Sequence, residues 1–303
     1  MRKAIFIYFS LIFVFCQNAK AQPFVDVVNL QCNYFPKTQY IGNSNNQNSL
    51  ILTNGSLFLP LKLNPKNIFV VGLDFNRTGF NYSGDTTINT VLGTTSFQVG
   101  LVKQFSSKFK AMMVAVPKIA TDFKDIDNRD FQMGGALLLT YIKKNSLKFK
   151  LGLYYNREFF GNYFMPLVGI DWKINSNAYL FGLLPGTMNF EYKLLDKKLY
   201  TGISYKSITA SYRLNDKLGK YYVRQGDPFW GDDQLKGFLH CYITKQIMVF
   251  GEIGYALHHY YQQYNDNKEK ETTLPVYSKM KDQLFFGGGL AFRIRLDDDY
   301  LNR

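Results

Sequence analysis

Apolar and polar residues alternate with a period of two along most of the chain, the pattern of strands with one face in an apolar medium. Val28, Leu30, Cys32 and Tyr34 alternate with Asn29, Gln31 and Asn33. Phe97, Val99 and Leu101 alternate with Gln98, Gly100 and Val102, and Leu147 through Tyr155 alternate with Lys148, Lys150, Gly152 and Tyr154. The beat returns at Val168–Ile174, at Met188–Lys193 and at Leu284–Arg295. Strands of the length that crosses a tilted bilayer, roughly 9 to 12 residues, number about 14 between Pro23 and Leu296, with 12 as the alternative.

A soluble β-sandwich alternates too, so the connections decide between the two. They fall into short and long classes in turn. Asn64-Pro65-Lys66-Asn67, Ser106-Ser107-Lys108, Lys144-Asn145-Ser146, Asn175-Ser176-Asn177, Asp196-Lys197-Lys198 and Thr244-Lys245-Gln246 have the chemistry of tight turns. Between them lie longer polar stretches at 36–48, 76–89, 118–130, 158–163, 214–234 and 258–282. Leu184-Pro185-Gly186-Thr187 departs from the rule, being short where a long loop is due. The alternation predicts an all-β fold: a transmembrane antiparallel up-and-down β-barrel of about 14 strands, with short periplasmic turns and longer external loops.

The N-terminus agrees. Arg2 and Lys3, the apolar stretch Ala4 to Cys16 and the small residues of Ala19-Lys20-Ala21 predict a secretory signal over 1–21. One barrel domain over 22–303 follows, its first strand too near Gln22 to leave room for an N-terminal plug. Phe15, where lipoprotein signals have a small residue, argues against a lipid anchor at Cys16. The chain carries 36 Lys+Arg against 23 Asp+Glu, and loss of Arg2, Lys3 and Lys20 with the signal leaves 33 basic residues, a net +10. An exported chain meets no nucleic acid, so this charge points to anionic lipid heads, lipopolysaccharide and small anionic solutes as partners. Aromatic residues make up 17% of the chain, matching interfacial girdles at the outer membrane of a Gram-negative bacterium.

Leu184-Pro185-Gly186, Asn189-Phe190-Glu191-Tyr192-Lys193, Asp196 to Tyr200 and Ser211-Tyr212-Arg213-Leu214 resemble a family of uncharacterised outer-membrane β-barrel proteins of Bacteroidota, a domain of unknown function. Gly289-Leu290-Ala291-Phe292-Arg293-Ile294 is similar to the last-strand signal read by barrel-assembly machinery, which the resemblance implies as a partner in biogenesis. The family brings fold and location but no activity, cofactor or functional residues.

Candidate chemistry is sparse. Barrel lipid hydrolases pair a serine with a histidine. Here His240 shares the lumen-facing register with Lys236 and has no evident serine partner, and His258 and His259 open an aromatic loop that reads as an interfacial rim. No enzyme and no cofactor are expected. Asp125, Asp127, Asn128 and Asp130 have spacing that could hold calcium but lack the glycine of an EF-hand loop, and read as a solvated acidic loop, as do Asp232 and Asp233. Cys32 and Cys241 fall on membrane-facing positions as small apolar residues. Asn76-Arg77-Thr78 matches a glycosylation pattern of no relevance to a bacterial chain.

One electrostatic feature remains. Inward positions near the short turns carry Lys62, Lys148, Lys150, Lys173, Lys193, Arg293 and Arg295, with Asp171 and Glu191 as nearby acids. Such a basic ring predicts a passive pore preferring small hydrophilic anions, unless these side chains pair with loop carboxylates or snorkel to the interface and leave a neutral constriction. The alternative functional class is a non-transporting envelope assembly or interaction component that uses its external loops.

Overall fold

The computed structural model describes residues 23–84, 87–195, 198–215, 221–226, 231–271 and 276–296. The expected signal over 1–21, Gln22, residues 196–197 and residues 297–303 lie outside them. Fourteen strands form the wall: β1 (Phe24–Tyr40), β2 (Asn43–Asn64), β3 (Asn67–Ser83), β4 (Thr87–Gln104), β5 (Phe109–Thr121), β6 (Phe131–Lys144), β7 (Leu147–Glu158), β8 (Gly161–Lys173), β9 (Ala178–Leu184), β10 (Thr187–Leu195), β11 (Leu199–Ile208), β14 (Asp232–Tyr242), β15 (Ile247–Leu257) and β18 (Gln283–Arg295). Each pairs antiparallel with its neighbours, and β18 returns to β1 from Phe24↔Arg295 to Tyr34↔Phe286, closing the barrel. Fourteen strands, not 12, is the count, because the cis Leu184-Pro185 turn joins two real strands.

The sheet is inside out relative to a soluble sandwich. Leu30, Phe97, Leu137, Leu151, Val168, Ile203, Leu239, Ile253 and Leu290 point outward and are 45% to 61% exposed. Only hydrocarbon makes such a band stable, and closure gives every wall strand a partner on each side over at least part of its length. The chain is therefore an outer-membrane β-barrel. Cys32 and Cys241 are free thiols on this outer surface, as their alternation predicts.

Several external connections are not loops. The polar stretches 36–48 and 76–89 continue the ladder: β2 spans 22 residues and β3 17, beyond the roughly 9–11 needed to cross a bilayer. The connection at 158–163 is likewise a tight turn from Glu158 to Gly161. Polar composition marked exposure to water there, not loss of strand.

The two longest connections fold into the barrel. Between β11 and β14 the chain makes β12 (Ala210–Leu214) and β13 (Tyr221–Gln225); between β15 and β18 it makes β16 (Tyr261–Asn265) and β17 (Lys270–Glu271). These pair in the order β12-β13-β16-β17 as an inner sheet. Its partners are inward apolar side chains on the upper wall. Phe80 stands edge-on to Tyr261 and Tyr277 at 4.9 and 5.5 Å, and Phe35 stacks on Phe285 at 4.8 Å. Burying each such ring contributes about 1.5–3 kcal/mol, so this core holds the inner sheet in place.

The lumen is nonetheless filled at this end, by the two longest connections themselves. The expected interfacial rim at His258 to Tyr264 is thereby corrected. His259 and Tyr261 are fully buried, His259 stacked on Phe35 and bonded through Nδ1 to Asp232 at 2.9 Å.

Candidate functional site: the central chamber

With the loop end filled, the lumen keeps a chamber of about 630 Å³ in its middle and short-turn half. Its charged lining residues are Asp26, Asp171 and Glu252 against Lys150, Lys206, Lys236 and Arg293. Alternation on β1, β7, β8, β11, β14, β15 and β18 aims all of them inward. Three pairs neutralise each other: Lys150 with Asp171 at 2.7 Å, Lys236 with Glu252 at 2.6 Å and Arg293 with Asp26 at 2.5 Å. Lys206 is left, with no hydrogen bond or ion pair among the described residues. It also lines a second cavity of about 350 Å³ beneath the inner sheet, so its ammonium stands where the two spaces meet. The side chains lining the chamber therefore hold one cation in excess, on which Asp74 of β3, Asp232 and Glu252 act from beyond ion-pair distance, and in low dielectric that excess attracts an anion more strongly than in water.

The short-turn end is closed by side chains. Glu191 on β10 accepts from Arg295 on β18 at 2.9 Å, and Arg295 lies 3.8 Å over the Tyr200 ring. Arg293 bonds to His240 Nδ1 at 3.1 Å and lies 3.4 Å over Phe24. Phe24 on β1 meets Phe181 on β9, six strands away around the wall, edge-on at 5.3 Å. The lumen is crossed at this level.

The seven basic residues predicted for the mouth divide by depth. β7 and β18 lie seven strands apart, so Lys148 and Lys150 do sit across the lumen from Arg293 and Arg295. Lys150, Arg293 and Arg295 are ion-paired, and Lys148 is buried beside its cross-strand neighbour Asp171. Lys173 lies 5.7 Å over the Tyr179 ring, Lys193 is buried, and Lys62 is exposed at the far end of β2. Arg293 and Arg295, with Asp26, Glu191 and His240, form a latch of paired charges. Lys206, which sequence reasoning passed over, is the unpaired cation. Its inward register, opposite Gln234 on β14, was readable, but pairing depends on which strands come together.

His240 points into the lumen as its register predicts, stacked 4.2 Å from Phe238. In the loop after β5, Asp127 and Asp130 form a capping box on the short helix Asn128–Asp130. Arg129 beside Asp127 holds its carboxyl below the usual range, and partial burial raises that of Asp130. These carboxylates are committed to local bonds, and no group of potential ligands converges there among the described residues. Asp232 and Asp233, expected in solvent, are buried. Asp232 holds His259 and Gln225, and Asp233 accepts from Tyr205 at 2.8 Å.

No family model and no curated protein matches the chain. Among solved structures it is similar to the NanC porin, at 8% identity and a TM-score of 0.42 over 88% of this chain and all of that one. It is similar also to an outer-membrane channel of Pseudomonas putida F1, at 9% and 0.45 over 92% and 98%, and to outer membrane phospholipase A of Escherichia coli, at 9% and 0.38 over 89% and 97%.

Proposed function

We propose that this barrel is a narrow, gated channel for a small monoanion, in place of the wide pore that the strand count by itself implies. One observation carries the reading: a central chamber whose charges cancel in pairs except for Lys206. Both ends are occupied by protein, the loop end by the inner sheet and the short-turn end by the Arg293, Arg295 and Glu191 latch. Passage then requires one of these to move. Lipopolysaccharide and lipid surround the apolar belt as partners.

Selectivity measured in planar bilayers tests this. Small unitary currents with anion-preferring reversal potentials are expected in a salt gradient, and Lys206→Glu should abolish or invert the preference. Replacing the paired Lys150 should change it less. The preference should weaken as salt screens the charge. The filled loop end also favours a non-transporting envelope component, and silence at every voltage, with the protein correctly folded, would establish that reading instead.

A further inference from the structure

The barrel wall has a window. β9 pairs with β8 only from Leu184↔Val168 to Tyr179↔Lys173, whereas β8 continues to Gly161. Across the β9–β10 hairpin, pairing with β11 ends at Thr187↔Lys206 and a bond from the Ser207 N–H to the Gly186 carbonyl at 2.8 Å. Above the hairpin no strand fills the wall between β8 and β11. Seven residues of β8, about 20 Å at roughly 3.3 Å per residue, have a wall neighbour in β7 only.

This edge lies in the apolar belt. Phe164 on it and Val168, the first paired residue below it, point outward and are each 59% exposed. An unpaired strand edge in hydrocarbon leaves backbone groups without partners. The sequence reduces that cost at one point. The Lys173 N–H bonds to Ser146 at 2.8 Å, on the β7 side, so alternation turns the even-numbered residues of β8 toward the opening. Pro166 is one of them and has no N–H to leave unpaired. The top of the window is framed by the chain crossing from Ile208 to Ser211. There the Ser211 N–H donates to Glu158 at 2.9 Å, and the Phe159 N–H donates to Ser211 Oγ at 2.9 Å.

Directly behind the frame is the second cavity. It is lined by Tyr163 and Met165 from β8, Pro185 from the hairpin tip, Ile208 and Thr209 from the crossing segment, and Lys206 at its base. Lys118 also lines it but is paired with Glu158 at 3.0 Å, so apolar walls toward the membrane and the Lys206 ammonium toward the axis match a molecule with an apolar tail and one negative charge. A cavity of about 350 Å³ lies at the low end for ligand sites and suits one chain, not a two-tailed lipid.

We propose that the opening between β8 and β11 is a lateral portal through which a single-chain amphipathic monocarboxylate enters from the outer leaflet, its carboxylate bound by Lys206 and its chain lying against Met165 and Tyr163. The inference rests on the monoanion chamber of the preceding section and names its ligand class. Entry from the side leaves the inner sheet docked, so loading the site needs no opening at the loop end.

The test uses the full barrel in vesicles, with Trp172→Phe and Trp230→Phe removing the native tryptophans and Met165→Trp as reporter. Lipids brominated along their acyl chains should quench this reporter, and decanoate should relieve the quenching. Adding Lys206→Met should weaken the decanoate effect about tenfold, while decanol, lacking the charge, should respond equally with either residue. Asn29→Trp, facing the lumen from the fully paired β1, should stay unquenched throughout. A Met165→Trp signal as insensitive to brominated lipid as the Asn29 control overturns the portal. Decanoate relief unchanged by Lys206→Met overturns the binding site. Heat-modifiable gel migration verifies folding, and Tyr163→Trp repeats the measurement if Met165→Trp does not fold. Lipid quenching together with electrical silence would leave the portal standing and remove the channel reading; current without quenching would do the reverse.

Discussion

Glu158 is one of the points at which the inner sheet is fastened to the wall, and its removal should undock that sheet measurably. Its carboxylate is 1% exposed and accepts from the Ser211 N–H at 2.9 Å, from Ser211 Oγ at 2.5 Å and from Lys118 at 3.0 Å. Lys118 on β5 and Glu158 on β7 both belong to the wall, so their pair persists whether the inner sheet is docked or not. Only the two Ser211 bonds cross the joint. Hydrogen bonds to a charged group contribute about 1.5–3 kcal/mol each. Taking the lower figure for both, Glu158→Ala should cost docking about 3 kcal/mol, or roughly two powers of ten at 1.36 kcal/mol per tenfold. Glu158→Gln keeps a neutral acceptor and should cost about a third of that. The bond from the Gln132 side chain to the Ser211 carbonyl, at 3.2 Å, remains in either variant. The assay is thiol labelling of Ala210→Cys, a buried position on β12, in a chain with Cys32 and Cys241 replaced by alanine. Labelling should accelerate about a hundredfold with Glu158→Ala and severalfold with Glu158→Gln. Equal rates in all three proteins, with the barrel intact, would refute the assignment of Glu158 as an anchor.

Two further outcomes follow from wall and latch. Glu191→Ala strips the fully buried Arg295 of its carboxylate and should destabilise the barrel by about 3–5 kcal/mol, read as a lower urea midpoint in detergent, whereas replacing exposed Lys62 should leave it unchanged. Leu151→Arg, placing a charge outward in the belt, should cost about 2–4 kcal/mol in the same titration. A midpoint unaltered by Leu151→Arg would show that this surface does not face lipid.

The fold was legible because the alternation at Leu147–Tyr155 or Leu284–Arg295 is a local property. A period of two assigns each side chain to one face whatever the neighbouring strand, and the short turns fix the neighbour. The inner sheet had a signal too: Phe35, Leu50, Leu52 and Phe80 are apolar at inward positions where the lower wall has Asn29, Gln31 and Asn54, and the longest connections are rich in tyrosine. Inward apolar positions need a partner inside the barrel, and only the loops could supply it. Polarity alone misplaced His259 and Asp232, because a buried polar pair looks in sequence like two solvated residues.

What the sequence determined by itself was therefore the sheet, its closure and the side of the wall on which each residue stands. Tertiary structure decided which inward charges meet. Lys150 finds Asp171 across one strand pairing, Arg295 reaches Glu191 across the lumen, and Lys206 reaches no carboxylate at ion-pair distance among the described residues, although all three cations look alike along the chain. The window was decided the same way, by the register at which a short hairpin meets two longer strands. Facing depends on a residue's own parity, whereas pairing and gaps depend on heights contributed by strands distant in sequence, and only the closed barrel brings those heights together.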